Sequence, residues 1–185
     1  MSNWFMYFLF YSFAGYLLEK LFAWAVRSDR QVRKCFLLLP LCPVYGLAMT
    51  ALLALAPAGG FWRLSLIGGL VCTLAEYFVH LFYDKAFNVR FWDYTQMPGH
   101  LQGRVCPLFT LIWGVLSALT ARWIQPGVEI LAERTPPEVL FVLWLVLAAD
   151  CVLSGTLLLR YHDIELLAAG AALAQSRAAS QSSTS

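Results

Sequence analysis

The chain has 185 residues, 60 % of them hydrophobic and 13 % charged, with a formal net charge of +2 and a mean hydropathy of +0.65. Soluble domains run at about 45–50 % apolar and about 25 % charged residues, so this composition excludes an ordinary globular domain, a disordered chain, a collagen and a small disulfide scaffold. Thirteen basic against eleven acidic side chains leave no excess of positive charge for a nucleic-acid partner. An all-α, polytopic membrane protein fits.

A helix needs about 20 mostly apolar residues to cross about 30 Å of hydrocarbon. Five segments qualify: 4–26, 36–56, 62–83, 104–124 and 139–160. They predict a single transmembrane domain over residues 1–163. Trp4, Trp24, Trp62 and Trp123 fall near span ends, where indoles suit the headgroup layer. Pro40 and Pro43 predict a kinked or unwound start to the second span. Ala23-Trp24-Ala25 resembles a signal-cleavage site, but no basic residue precedes the apolar run and Glu19-Lys20 interrupt it, so the segment reads as a retained span. The Ala-, Ser- and Gln-rich stretch 164–185 reads as a cytoplasmic tail, disordered toward its end.

The loops set the orientation. Arg27, Arg30, Arg33, Lys34, Lys85, Arg90, Arg104, Arg160 and Arg177 fall on one side, and Arg63, Arg122 and Arg134 on the other. Nine against three places the N-terminus outside and the C-terminus in the cytoplasm. Cys35, Cys42, Cys72, Cys106 and Cys151 lack Cys-x-x-Cys or Cys/His spacing, so neither a metal nor a redox site is expected, and they read as small packing residues.

A repeat emerges once the spans are aligned. Glu19 and Glu76 each lie seven positions before the inner end of a descending span, about 10 Å from the interface. A basic loop follows each, then a returning span that opens on Cys-Pro (Cys42-Pro43, Cys106-Pro107) and contains an aromatic-glycine step (Tyr45-Gly46, Trp113-Gly114). Spans 1–2 and 3–4 thus read as two hairpins in parallel repeat, about an axis along the membrane normal.

Polar residues fall on helical stripes. Gly69, Thr73, Glu76, His80 and Tyr83 recur at intervals of three or four, hence on one face. Ser12, Gly15 or Tyr16, and Glu19 do the same in the first span, and Asp150 precedes Ser154 by one turn in the fifth. An acidic group at membrane depth costs about 2.5–3.5 kcal/mol on insertion scales, so these carboxyls are expected to face inward, into a cytoplasm-facing polar cavity lined by Glu19, Glu76 and Asp150. The alternative is structural pairing with Lys20, Arg33, Lys34, Arg90 or Arg104. His80 reads as a stripe or interfacial residue rather than a ligand.

Residues 91–104 form the least generic segment: Trp92 and Tyr94 flank Asp93, Pro98-Gly99 reads as a turn, and Gly103 precedes Arg104 at the start of the fourth span. Here the chain resembles a known family, the ABC-transporter permeases of the type IV, CmpB-like class, which are small bacterial membrane proteins. The resemblance covers residues 15–114. It is carried by Gly15-Tyr16-Leu17-Leu18-Glu19, Pro40-Leu41-Cys42-Pro43-Val44-Tyr45-Gly46, Glu76-Tyr77, Trp92-Asp93-Tyr94-Thr95, Gly103-Arg104-Val105-Cys106 and Trp113-Gly114, in the family's order. Two positions depart from it. Arg33-Lys34-Cys35-Phe36 stands where the family tends to carry Asn-Arg-Gly-Phe, and His100 where it usually has Asn.

The resemblance implies a multi-pass protein of the bacterial inner membrane that acts as the permease subunit of an ABC-type system. The chain carries no Gly-x-x-x-x-Gly-Lys-Ser/Thr phosphate loop, so an ATPase subunit is expected to dock on its cytoplasmic loops, 27–35 or 84–103. Five spans are few for a transport path, so a homo- or hetero-oligomer is expected. No haem, flavin or nucleotide motif points to a cofactor. Candidate site residues are Glu19, Cys42, Tyr45, Glu76, Trp92, Asp93, Tyr94, Arg104, Cys106 and Asp150. Two alternatives stay open: a membrane-embedded enzyme acting on a lipid or prenyl substrate, with Glu19, Glu76 and Asp93 as acid, base or metal ligands and Arg104 holding a phosphate; and a structural or regulatory subunit without a site of its own.

Overall fold

A computed structural model describes residues 2–25, 35–56 and 59–162. They fold into helices α1 (Ser2–Ala25), α2 (Pro43–Leu55), α3 (Phe61–Phe87), α4 (Pro107–Leu119), α5 (Gln125–Arg134) and α6 (Pro137–Tyr161). A single π-turn, Thr120–Ile124, joins α4 to α5 in one rod. No strand occurs among the described residues; an isolated bridge pairs Leu101 with Val105. Three helical stretches, Phe61–Phe87, Pro107–Arg134 and Pro137–Tyr161, are long and apolar enough to cross a membrane. With 24 residues α1 is long enough, but its tyrosines and Glu19-Lys20 keep its hydropathy below theirs. The basic loop 27–34 and the tail 164–185 lie outside the described residues.

Prolines set the helix starts. Pro43 and Pro107 occupy the first turns of α2 and α4, with Cys42 and Cys106 as N-caps, because a ring without an N–H is tolerated there and not further inside. The expected second span, 36–56, is therefore helical over only 13 residues. The chain before it, 35–42, is a bent strap with Cys35 and Leu37 fully buried. A buried strap needs partners for its backbone. Leu38 N donates to Ser154 Oγ at 3.1 Å, Leu39 N to Asp150 Oδ2 at 3.2 Å and Cys42 N to Ser12 O at 2.8 Å.

The loop expected after the fourth span is mostly absent. Pro126, in the first turn of α5, lacks an N–H and crowds the preceding carbonyls; the helix absorbs this as the π-turn and continues to Arg134. Thr135 and Pro136 then turn the chain into α6.

Each helix sorts its faces as its periodicity demands. On α3, Leu66, Leu70, Leu74, Phe78 and Phe82 form an exposed apolar stripe at intervals of four, suited to acyl chains. Its opposite face carries Gly69, His80 and Tyr83 buried, with Thr73 and Glu76 half-buried, so the predicted polar stripe faces inward. There α3 meets α4 closely: a methyl on Gly114 would lie 2.6 Å from Ser65 O, the small-residue contact typical of membrane helices. α1 packs on α2, α2 on α3, and the first half of α1 on α5, while α6 lies outside against α1 and α3. Tyr7, Tyr11, Met49, Leu52, Leu64, Ala118 and Val128 form the core at one end. Tyr83, Phe87, Val89, Phe91 and Leu158 form it at the other.

Candidate functional site

Between these two cores lies a cavity of about 260 Å3. Its walls come from α1 (Phe10, Tyr11, Gly15, Glu19), the start of α2 (Cys42, Tyr45, Met49), α3 (Cys72, Glu76), α4 (Trp113, Ser117) and the loop after α3 (Trp92, Tyr94). Glu19 and Glu76, on different helices and 57 positions apart in the chain, open into the same space. Each meets a phenol: Tyr45 Oη donates to Glu19 Oε1 at 2.7 Å, and Tyr94 Oη to Glu76 Oε1 at 3.4 Å. The Trp113 indole lines the same space, its N–H buried without a hydrogen-bond partner. Among the described residues the ion pairs are Arg90–Asp84 and Arg104–Asp84; neither involves Glu19 or Glu76. Structural pairing of these two carboxyls with Lys20, Arg90 or Arg104 therefore does not occur, and Arg33 and Lys34 lie outside the described residues.

Gly15 makes the geometry around Glu19 feasible. Any Cβ there would sit 2.3 Å from Tyr45 Cγ, so the bare backbone lets the Tyr45 ring lie flat on α1 with its hydroxyl one turn further along, at Glu19. The ring also meets Trp113 edge-on, at 5.6 Å between centroids.

The loop 88–106 explains the distinctive 91–104 segment. Trp92 Nε1 donates to Arg104 O at 2.9 Å, Tyr94 N to Gly103 O at 2.8 Å, and Gly103 N to His100 Nδ1 at 3.0 Å. Gly103 has φ +70°, and a Cβ there would press on Asp93 Oδ1 at 2.7 Å, so only glycine fits. Asp93 is exposed and accepts from Thr95 N at 2.9 Å. That backbone donor is the main reason its carboxyl is held below the ordinary aspartate range. Arg104 is buried, pairs with Asp84 Oδ2 at 2.9 Å, donates to Gln102, and lies 5.4 Å over the Tyr77 ring. His80 Nε2 lies 3.0 Å from Trp92 O. These residues fasten the loop along α3 and present Trp92 and Tyr94 to the cavity. There, burial and the nearby Glu76 push the Tyr94 phenol well above the ordinary tyrosine range.

Of the sequence-predicted residues, the cavity brings together Glu19, Cys42, Tyr45, Glu76, Trp92 and Tyr94. Asp93, Arg104, Cys106 and Asp150 stand apart from it. Cys106 caps α4. Asp150, expected as a cavity carboxylate, instead accepts the Leu39 amide of the strap, because a non-helical segment buried among helices must be hydrogen-bonded by a neighbour. The enzyme grouping of Glu19, Glu76 and Asp93 with a phosphate on Arg104 is not assembled either, since Arg104 is engaged by Asp84 and Gln102. Several wall residues were absent from the predicted set, Trp113 and Cys72 among them. Trp113 stands in the aromatic-glycine step with Gly114, and Cys72 lies one turn before Glu76 on α3; the sequence displays both positions.

Apolar helices of membrane-crossing length wrapped around a cavity with two carboxyls define a helical membrane protein. Residues 6–155 match the family model described as "Putative ABC-transporter type IV", and the chain belongs to that family. No curated protein and no solved structure matches it.

Proposed function

We propose that this chain is the membrane subunit of an ABC-type transport system, with Glu19 and Glu76 lining the binding cavity of its translocation path. The observation that carries the reading is the convergence of two carboxyls from different apolar helices on one cavity, with no basic side chain among the described lining residues. At about 2.5–3.5 kcal/mol each on insertion scales, such groups are retained where they meet a cargo or its coupling ion.

In this reading one transmembrane domain, residues 1–163, places five segments in a bacterial inner membrane. α1 crosses, and α2 is completed by the strap 35–42. The N-terminus is outside and the cavity faces the cytoplasm. The two hairpins form a parallel repeat, which equivalent contacts support. Gly46 is set against Phe8 O and Ser12, and Gly114 against Ser65 O and Gly69, partners offset by the 57 positions that separate Glu19 from Glu76. An ATPase subunit docks on the cytoplasmic loops, 27–35 and 84–103, and the working unit is an oligomer.

The test is purification of the tagged chain from its native membranes, with mass spectrometry for a subunit carrying a phosphate-loop motif. Co-purification of such an ATPase is expected. Its ATP hydrolysis should depend on the chain, and a Glu19→Gln/Glu76→Gln variant that inserts normally should lose the cellular phenotype. A chain that purifies alone and whose double variant keeps full function refutes the reading.

A further inference from the structure

Glu19 stands where two cavities meet. The inner one is described above. The outer one, about 620 Å3, shares Glu19, Tyr45, Tyr94 and Trp113 with it and runs out between α1 and α4 past Phe22, Leu111 and Val115. Those last three side chains are well exposed on the helix surface, Leu111 to 71 %. The opening has an architectural cause. In a repeat of two hairpins the contact of α2 with α3 has a counterpart, α1 with α4. α2 does pack on α3, but α1 reaches the α4–α5 rod chiefly through α5, which leaves the second half of α1 standing off from α4. The outer cavity occupies that gap, its mouth lined by residues suited to acyl chains.

We propose that the two cavities together bind an amphipathic organic cation that enters sideways from the bilayer, with its ammonium between Glu19 and Glu76 and its hydrocarbon chain in the groove between α1 and α4. This assignment names the ligand class of the cavity and rests on the transport reading for the ligand's fate. Three observations select the class. Both ionisable carboxylates of the cavity are acceptors of positive charge, and no lysine, arginine or histidine is among the described residues of either wall. An anionic headgroup would meet like charge with nothing to offset it. The rings of Tyr45, Trp92, Tyr94 and Trp113 line the same space, and aromatic faces attract a desolvated ammonium. The outer groove is apolar and open to the side, so a chain attached to that ammonium stays in contact with hydrocarbon throughout entry. A wholly hydrophilic cation would leave the groove unused, and a neutral lipid would leave two carboxylates without a counter-charge.

The experiment is isothermal titration of the purified full-length chain in maltoside micelles with three probes of one chain length, decyltrimethylammonium, 1-decanol and decanesulfonate. The wild-type chain is expected to bind the ammonium at least about tenfold more tightly than decanol, and the sulfonate more weakly than either. Glu19→Gln and Glu76→Gln should each weaken the ammonium about tenfold or more and leave decanol unchanged. Leu111→Trp, at the lipid-facing mouth, should weaken decyltrimethylammonium and leave tetramethylammonium untouched. Equal affinity of the wild-type chain for ammonium and decanol, or preference for the sulfonate, overturns the assignment, and this comparison requires no variant to fold. Tetramethylammonium binding as tightly as its decyl analogue overturns the lateral route. Neither failure bears on co-purification of an ATPase, which tests the subunit role separately.

Discussion

Gly15→Ala adds one methyl group at the point where α1 and α2 are closest to the site. The new Cβ would lie 2.3, 2.4 and 2.6 Å from three carbons of Tyr45, where ordinary contact is 3.4–4 Å, so the ring must retreat by about 1 Å. It has little room. Trp113 stands edge-on to it, and the start of α2 is tied to α1 through Cys42 N and Ser12 O at 2.8 Å. Such overpacking costs about 1–3 kcal/mol. Retreat also stretches the 2.7 Å bond from Tyr45 to Glu19, a loss of about 1 kcal/mol or more. The expected destabilisation is about 2–4 kcal/mol on those two magnitudes. Gly127→Ala provides the contrast. Nothing lies within 4 Å of a Cβ there, and the position is helical, so alanine should stabilise by up to about 1 kcal/mol. Thermal unfolding in detergent, followed by tryptophan fluorescence, ranks the three proteins. Gly15→Ala unfolding at or above the wild-type temperature would refute the account of how Tyr45 is seated.

Other substitutions probe the supports around the cavity. Arg104→Gln leaves Asp84 and Gln102 without a buried partner and should cost about 1–3 kcal/mol. Arg90→Gln, whose side chain is 57 % exposed, should change stability by less than about 0.5 kcal/mol; equal effects in thermal unfolding would contradict the buried role of Arg104. Asp150→Leu removes the acceptor of the Leu39 amide, so hydrogen exchange at Leu39 should accelerate markedly while Asp150→Asn stays close to wild type; unchanged protection would mean the strap is held elsewhere. Asp93 has a lowered pKa, so its contribution to the loop is present above the ordinary aspartate pKa and lost as pH falls through the lowered one. The Thr95 amide resonance should move over that acidic range, and the movement should vanish in Asp93→Asn.

The cavity was partly legible before any coordinates. Glu19 and Glu76 stand out because carboxyls are costly in hydrocarbon, and the helix period assigns them to inward faces. The loop chemistry was less so. Asp93 and Arg104 have the residue types of a catalytic or phosphate site, yet one closes a turn and the other binds Asp84 and Gln102. Composition cannot separate a polar group that builds a loop from one that serves a ligand, because both need the same donors and acceptors.

Asp150 marks the same boundary from the other side. Its cost in the membrane was readable, and so was the need for a partner, but the partner is the amide of Leu39, 111 positions away. By itself the sequence determined the helical class, the apolar segments, the inward polar stripes and the proline-capped starts of α2 and α4. Those follow from local backbone constraints and from the cost of polar groups in lipid. Tertiary structure alone decided that α2 is short, that α4 runs on through a π-turn into α5, and that α1 stands off from α4 to leave a groove between them. Each of these depends on how side chains from distant segments fill space between the helices, and no period or composition along one segment encodes that.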